Sequence, residues 1–275
     1  MIAVSAASGV FGRRVVDHLL TRCPAGEVTA VVRAPDRAAG LAARGVRIRH
    51  GDYDAPATLA EAFRGVDRLL LISSPELVLE RRVRHHTNAI GAAREAGVSA
   101  IAYTSFLGAD TESEGLTAAH HATERAVRAS GIPHVLLRHP FYSEAFLNPG
   151  LKAAVDAGEL TDGSGGRGLN TASRDDLAEA AARVLTEGHH VGRAYDFTGE
   201  PWSFPELART LSRVVGTPVA LRERQAQLPG AEGWLENQVR SGALERYTDD
   251  LRRVLGRPAT SLDDAVEALF ATPSA

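Results

Sequence analysis

The chain has 275 residues, a formal net charge of −3 and 44% hydrophobic residues, the composition of an ordinary globular protein. The near-neutral charge gives no electrostatic basis for a nucleic-acid partner, and no apolar run approaches the ~18 residues of a membrane span. Cys23 is the only cysteine, which excludes an intramolecular disulfide, and with no basic signal region at the N-terminus we expect a cytoplasmic protein.

Short apolar runs alternate with amphipathic stretches through the first half of the chain. The runs indicate parallel strands buried on both faces at Ile2–Ser5, Val28–Arg33, Val46–His50, Arg68–Ile72, Ala100–Ser105, His134–Arg138 and, further on, Arg193–Phe197. Helical spacing follows at Val10–Thr21, Arg37–Ala43, Ala57–Phe63, Val78–Ala96 and Leu116–Ala129. The alternation predicts an α/β fold, a doubly wound parallel sheet of the Rossmann type.

After Arg138 the pattern loosens and becomes mainly helical. Helices are predicted at Arg174–Leu185, Pro205–Val215, Ala231–Leu244, Thr248–Leu255 and Ser261–Phe270. We expect a single unit over residues 1–275, with a nucleotide-binding core of about 1–138 plus 169–198. A smaller substrate lobe is expected over about 139–168 plus 199–275.

The turn after the first strand has the features of a phosphate-binding turn. Small residues there allow backbone N–H groups to approach a pyrophosphate at the start of a helix. Gly9 permits the close approach, and Gly12 permits tight packing of helix on strand. The residues expected to contact the cofactor here are Ala6, Ser8, Gly9, Val10, Phe11 and Gly12.

The sequence resembles the NmrA-like atypical short-chain dehydrogenase/reductases, and among them it is most similar to the type 2 NAD(P)H:quinone oxidoreductases. The matching segments are Ala6–Gly12, Val31–Pro35, Gly51–Tyr53, Leu69–Ser74, Ile101–Ser105, Gly115-Leu116, His120, Thr123-Glu124, Tyr142–Glu144 and Ala172–Arg174. One position departs from the family pattern, because Ala6 stands where its first glycine is usual. A Cβ there requires a negative φ or adds strain to the turn.

Arg33, at the end of the second strand, favours NADP(H), with NAD(H) as the alternative. A guanidinium makes bidentate, charge-assisted contacts to a 2′-phosphate, whereas an acidic residue at this place would select the free ribose hydroxyl. The resemblance implies the same role for Arg33. Further candidate cofactor residues are Arg37, Asp52, Tyr53, Ile72, Ser73, Ser74 and Thr104.

Many short-chain reductases carry a catalytic Tyr-x-x-x-Lys pair on one helix. At the corresponding predicted helix this sequence lacks the pair and has His120 and Glu124 instead. Ser105 stands where the catalytic serine is expected. His120 is a candidate proton donor or a surface histidine, and Glu124 either orients it or is solvated. Tyr142 completes the candidate catalytic set. Phe106, His139, Phe141 and Tyr142 are candidate substrate-binding residues, with core packing as the alternative for the aromatic pair.

The absence of the usual acid favours a quinone as acceptor. The phenolate-like product of quinone reduction is less basic than an alkoxide by roughly six pK units, which lowers the need for proton donation by roughly 8 kcal/mol. No metal site is predicted, because the pairs His85-His86, His120-His121 and His189-His190 would diverge by about 100° if they lay on helices.

The sequence therefore predicts an NAD(P)H-dependent reductase of a quinone or a similar planar conjugated carbonyl. Lys152 is the only lysine beside 30 arginines, a bias that suggests a GC-rich genome and motivates a narrower hypothesis of aromatic polyketide tailoring. The alternative, from a different class, is a non-catalytic redox sensor that binds the dinucleotide. The sequence leaves open whether the chain forms a homodimer.

Overall fold

The computed structural model describes residues 1–111, 114–224 and 230–271. Its strands are β1 Ile2–Val4, β2 Val28–Val32, β3 Arg47–His50, β4 Arg68–Leu71, β5 Ala100–Phe106, β6 His134–His139, β7 Phe141–Tyr142, β8 Glu159–Asp162, β9 Thr171–Ala172, β10 Ala194–Asp196 and β11 Ala220–Glu223. Its helices are α1 Val10–Leu20, α2 Ala39–Ala42, α3 Pro56–Phe63, α4 Leu79–Glu95, α5 Gly115–Ala129, α6 Leu151–Ala157, α7 Arg174–Thr186, α8 Phe204–Val215, α9 Gly230–Arg240, α10 Asp250–Leu255 and α11 Leu262–Phe270.

The central sheet has seven strands in the order β10-β6-β5-β4-β1-β2-β3. Every neighbouring pair in it is parallel. The predicted doubly wound parallel sheet is confirmed, and each predicted strand agrees with the observed one to within one residue at either end. The inner strands were recognisable because they are apolar on both faces, as β2 illustrates with all of its residues buried. The edge strands β3 and β10 are partly exposed.

The first of two compact units comprises Met1–His139 and Leu177–Phe197 and contains the seven-stranded sheet. An apolar cluster in this unit packs buried side chains of the sheet with helix residues. The cluster includes Phe63, Leu69, Leu71, Ile90, Ile101, Tyr103 and Leu136. This core fixes the strands of the sheet in place. Open α/β sheets bind their ligands at the carboxyl ends of such strands.

The second unit comprises the described parts of Pro140–Asp176 and Thr198–Ala275. It contains two short parallel pairs, β7 with β9 and β8 with β11, which the sequence did not predict. Its apolar core includes Leu160, Leu169, Trp202, Leu211, Val239 and Val266.

Residues 169–176, expected in the core, lie in the second unit instead. Thr171 and Ala172 pair with β7, and Leu169 pairs with Trp202. These pairings join the segment to strands and loops that follow Pro140, so the boundary falls inside α7.

Among the described residues, no helix is both long and apolar enough to cross a membrane.

Candidate functional site

The turn between β1 and α1 is closed by backbone hydrogen bonds and tightly packed. The Gly9 amide donates to the Ala6 carbonyl oxygen at 3.0 Å, and the Ala7 amide donates to that of Val31 at 3.2 Å. A Cβ added at Gly12 would lie 2.7 Å from the Ala6 oxygen and 2.8 Å from the Ala7 Cα. Only glycine fits at position 12 without moving backbone, as close packing of helix on strand requires.

The amino end of α1 offers backbone donors to an anion. Gly9 is the N-cap, and the first turn of the helix carries no acidic residue. The first amides of a helix have no partner within it, and the helix dipole adds a positive partial charge there. Val10, Phe11 and Gly12 contribute these amides, so the turn fits a pyrophosphate. The Val10 side chain is exposed, whereas the Phe11 side chain is buried.

A cavity of about 500 Å³ opens at the carboxyl ends of β1, β2, β3 and β4, entirely within the first unit. It is lined by Ser5, Ala6, Ser8, Gly9, Val31, Arg33, Gly51, Asp52, Tyr53, Asp54, Leu59, Ser74, Pro75, Glu76, Leu77, Arg81 and His85. Seven of the predicted cofactor residues are among them. Their convergence from four separate segments fits the adenosine and pyrophosphate portions of a dinucleotide.

The two candidate arginines lie at different cavities. Arg33 is exposed and lines the larger one, where its guanidinium is available to a phosphate. Arg37 is also exposed but lines a cavity of about 250 Å³, together with Arg13 and Arg44. Ser8 borders both cavities. Arg33 is therefore the better placed of the two for contact with a nucleotide in the larger cavity.

The Tyr53 hydroxyl joins the ends of three strands beneath the cavity. Its oxygen lies 2.6 Å from Ser5 Oγ and 2.6 Å from the carbonyl oxygen of Ile72. Ser5 Oγ in turn accepts the Ile72 amide at 2.8 Å. Burial raises the pKa of Tyr53, so the phenol stays neutral. Tyr53 thus lines the cavity, and Ile72, which does not line it, is one of the groups that hold its hydroxyl.

The segment after β4 is held by side chains from β5 and α4. The Ser73 amide donates to Thr104 Oγ1 at 2.8 Å, and the Ser74 amide donates to His86 Nε2 at 2.8 Å. Thr104 is buried and does not line the cavity; its hydroxyl oxygen positions Ser73. The proposed contact of Thr104 with the cofactor stays a prediction.

A polar network at the cavity rim escaped the sequence analysis. Asp54 accepts from Arg81 Nη2 at 2.7 Å and from His85 Nε2 at 2.9 Å. Because a carboxylate only accepts, His85 Nε2 is the donor to Asp54, and His85 Nδ1 lies 2.8 Å from the Ser74 hydroxyl oxygen. The hydrogen bonds from Arg81 and His85 lower the pKa of Asp54 to about 2. The only signal in the sequence was the spacing of Arg81 and His85, one helical turn apart.

Ser105 belongs to a buried hydrogen-bond network. Its hydroxyl donates to Glu124 Oε1 at 2.7 Å, and both side chains are buried. Arg138 donates to both oxygens of Glu124 at 2.8 Å, and Arg128 adds a bond at 3.0 Å. A buried ion pair thus holds the Glu124 carboxylate. The roles of Ser105 in catalysis and of Glu124 in orienting His120 stay predictions.

His120 is buried, so the alternative of a surface histidine is wrong, whereas its role as a proton donor stays a prediction. Its Nε2 accepts from Arg82 Nη2 at 3.3 Å, because a guanidinium only donates, so Nδ1 carries the proton and donates to Tyr103 Oη at 2.8 Å. Burial and then the positive charge of Arg82 hold the pKa of His120 well below its usual range. The histidine is thus a satisfied polar group between α4, α5 and β5.

The predicted substrate residues of the first unit lie in an aromatic cluster at the ends of β5 and β6. Phe106 stacks on His120 with ring centroids 5.9 Å apart. His139 packs against Phe11 at 5.3 Å and Phe197 at 6.1 Å. Burial lowers the pKa of His139 to about 3, so its imidazole is neutral. Contact of Phe106 and His139 with substrate stays a prediction.

Phe141 and Tyr142 form strand β7 of the second unit. The Phe141 ring meets Trp234 edge-on at 5.8 Å. The Arg174 guanidinium lies 4.6 Å from the centre of the Tyr142 ring, a cation–π arrangement. Both residues are half-buried, so stacking on a substrate and packing within the unit both stay open to them.

The expectation that the paired histidines diverge is wrong for His189 and His190. They follow the end of α7 rather than lying on it, and their ring centroids are 4.0 Å apart. Both rings reach the carboxylate of Glu187. The helical geometry assumed for this pair therefore does not apply.

The parallel sheet, the glycine-tight first turn and the cavity at the carboxyl ends of β1–β4 together define a dinucleotide-binding protein of the Rossmann class. A family model described as NAD(P)H-binding matches residues 6–188, and the chain belongs to this family. The resemblance to NmrA-like atypical short-chain dehydrogenase/reductases is thereby confirmed, with NAD(P)H as the dinucleotide.

Relatives of known structure and sequence span the whole chain. It is 37% identical to quinone oxidoreductase 2 of Escherichia coli K12, over 98% of this chain and 99% of that protein. Triphenylmethane reductase of Citrobacter sp., complexed with NADP(H), superposes with a TM-score of 0.93 at 36% identity, covering 98% of this chain and 100% of that one. The NADPH-dependent quinone oxidoreductase of E. coli complexed with NADPH gives 0.88 at 35% identity, with 98% and 100% covered.

Proposed function

We propose that the protein is an NADPH-dependent reductase that delivers a hydride to a quinone or a similarly planar conjugated acceptor. The observation that carries this proposal is the 500 Å³ cavity at the carboxyl ends of β1–β4, with the Gly9–Gly12 turn on one side and Arg33 at its rim. Likeness to a quinone oxidoreductase and a triphenylmethane reductase supports it, because both names describe planar conjugated acceptors.

The residues of the first turn and of β2 would hold the cofactor. The amides of Val10, Phe11 and Gly12 face the place of a pyrophosphate, and Arg33 supplies a cation for the 2′-phosphate. Asp54, positioned by Arg81 and His85, keeps a carboxylate at the rim. When bound, the reduced nicotinamide supplies the hydride.

Proton transfer is expected to come from water rather than from Ser105 or His120. Ser105 donates its hydroxyl proton to a buried carboxylate, and both ring nitrogens of His120 are engaged by protein groups. A quinone acceptor suits this arrangement, because its reduction product is weakly basic and needs no positioned acid. A simple aliphatic ketone would need one.

The test is an assay of NADPH oxidation, monitored by the near-ultraviolet absorbance of NADPH. The acceptors, each tested separately, are a benzoquinone, a naphthoquinone and a triphenylmethane dye. An aliphatic ketone serves as the matched acceptor that should not react. We expect turnover with at least one planar acceptor and none without an acceptor. Tight binding of NADPH without turnover of any acceptor would contradict the proposal and favour the dinucleotide sensor.

Three narrower points stay predictions. An aromatic polyketide substrate would be tested by adding polyketide quinones to the acceptor panel. The cytoplasmic location would be tested by cell fractionation. The homodimer would be tested by sedimentation of the purified chain at several concentrations.

A further inference from the structure

A cluster of metal-binding side chain types lies in the turn between α7 and β10. Glu187 Oε2 is 3.1 Å from His190 Nε2 and 3.8 Å from His189 Nε2. One ligand atom from each of the three residues lies within 4.8 Å of the other two. The three residues belong to the first unit and come within four positions of each other in the chain.

The distances suit a small divalent cation. Zinc binds histidine nitrogen and carboxylate oxygen at about 2.0–2.2 Å in tetrahedral sites, which places neighbouring ligand atoms about 3.4 Å apart. The two distances to Glu187 fall on either side of that value. Two imidazoles and one carboxylate provide three ligands, and water would complete the coordination on the side where His189 is exposed.

Tyr195 orients the buried histidine of the cluster. Its hydroxyl lies 2.9 Å from His190 Nδ1. A metal on Nε2 requires the proton on Nδ1, and the Tyr195 oxygen can accept it, which is the usual support for a metal-bound imidazole. Arg68 donates to the backbone oxygens of Leu185 and Glu187, so its guanidinium holds the turn without using the carboxylate.

The position of the cluster also favours a cation. It directly follows the carboxyl end of α7, where the helix dipole places a negative partial charge. The turn precedes β10 and adjoins Arg68, the first residue of β4, so it lies at the amino ends of the parallel strands. The cofactor cavity is at their carboxyl ends.

We propose that Glu187, His189 and His190 form a binding site for Zn²⁺ or a chemically similar first-row divalent cation, with Tyr195 as positioning residue. The cation fastens the end of α7 to the edge strand β10. It is a structural site, because it lies at the end of the sheet opposite the cofactor cavity, and it is independent of the proposed reductase activity.

The test measures Zn²⁺ binding to tag-free, metal-free protein by calorimetry, with Co²⁺ as a spectroscopic probe of imidazole coordination. We expect one Zn²⁺ per chain, a visible Co²⁺ absorption band and a higher melting temperature with Zn²⁺. Mg²⁺ should produce none of these effects, because it prefers oxygen ligands and water. Tyr195→Phe should weaken Zn²⁺ binding about tenfold or more.

His189→Ala and Glu187→Gln should abolish the Co²⁺ band and the rise in melting temperature. His189 is exposed, so its replacement leaves the fold intact, which circular dichroism without metal would verify. His50→Ala is the matched control, since His50 is an exposed histidine outside the cluster. Absence of saturable Zn²⁺ binding by the unmodified protein, or binding that survives both variants, would overturn the proposal.

Discussion

At the scale of single residues, Ala6 is the unusual position of the cofactor turn. Its φ is +49°, the left-handed region that glycine adopts freely and alanine adopts at a cost of about 1–2 kcal/mol. The hydrogen bonds of Gly9 to Ala6 and of Ala7 to Val31 hold the turn in this shape. Of the two possibilities that the sequence left for this alanine, the structure thus shows strain rather than a negative φ.

Ala6→Gly should increase the free energy of unfolding by about 1 kcal/mol. Relief of the left-handed strain exceeds the ~0.4–1 kcal/mol lost to the greater freedom of glycine in the unfolded chain. Urea denaturation would measure the change. Ala39→Gly, at an exposed alanine with φ −53°, is the control and should lower stability by about 0.5–1 kcal/mol. A similar loss in both variants would show that Ala6 is not strained.

Arg33→Ala should weaken NADPH binding about 10- to 100-fold and leave NADH binding nearly unchanged. A hydrogen-bonded contact to a charged group contributes about 1.5–3 kcal/mol, and only NADPH has the 2′-phosphate. Fluorescence titration with both nucleotides would measure the difference. Arg94→Ala, at an exposed arginine near the end of α4, is the control. Equal losses of affinity for NADPH and NADH would contradict a contact between Arg33 and the 2′-phosphate.

At the scale of secondary-structure elements, Ser105, Glu124 and Arg138 tie β5, α5 and β6 together. The hydrogen bonds that Arg138 donates to the buried Glu124 carboxylate raise the pKa of Arg138, so the pair stays ionised. Removing one partner of a buried ion pair costs about 3–5 kcal/mol, because the other charge is left without compensation. The network therefore gives the serine and the carboxylate a role in stability.

Ser105→Ala should lower the free energy of unfolding by about 2 kcal/mol while turnover with a quinone stays within about twofold of the unmodified enzyme. The hydroxyl supports Glu124 and touches no reacting atom in this arrangement. Thermal denaturation and steady-state kinetics on the same samples would check both parts. Glu124→Gln is the companion variant, with a larger expected loss of stability. A large loss of turnover in Ser105→Ala at unchanged stability would contradict this prediction and support a catalytic role for Ser105.

At the scale of the whole molecule, buried neutral histidines link the stability of the fold to pH. Burial lowers the pKa of His86 and of His139 to about 3 each, and the pKa of His120 falls in the same direction. The unfolded chain binds protons near pH 6.5, whereas the folded chain does not. Their contribution to stability is complete above pH 6.5 and is lost as the pH falls toward 3.

His86→Gln should reduce this dependence on pH. When the pH falls from 7 to 5, each buried histidine lowers the free energy of unfolding by about 2 kcal/mol. Because His86→Gln removes one such histidine, the loss of stability over this pH range should be about 2 kcal/mol smaller in the variant than in the unmodified protein. Glutamine can accept from the Ser74 amide and donate to Thr123, as His86 does. Urea denaturation at several pH values would measure the slope. His50→Gln, at an exposed histidine, should leave the slope unchanged.

The arrangement of the sheet and the first turn followed from the sequence because both depend on neighbouring residues. Runs of buried Val, Ile and Leu specify strands, and small residues followed by helical spacing specify the turn at Gly9 and Gly12. The short strands β7, β8, β9 and β11 carry no such pattern. Their partners lie elsewhere in the second unit, so they became visible only in the fold.

The sequence predicted the class of fold, the edge of the sheet where the cavity opens and the arginine that lines it. The folded chain fixes which polar side chains are held by partners. Glu124, which is paired with Arg138, accepts from Ser105. Arg82 and Tyr103 engage His120, and a turn brings His189 and His190 to Glu187. The physical reason is that residue type fixes what a side chain can donate or accept, whereas burial and partners distant along the chain fix whether it stays free to do so.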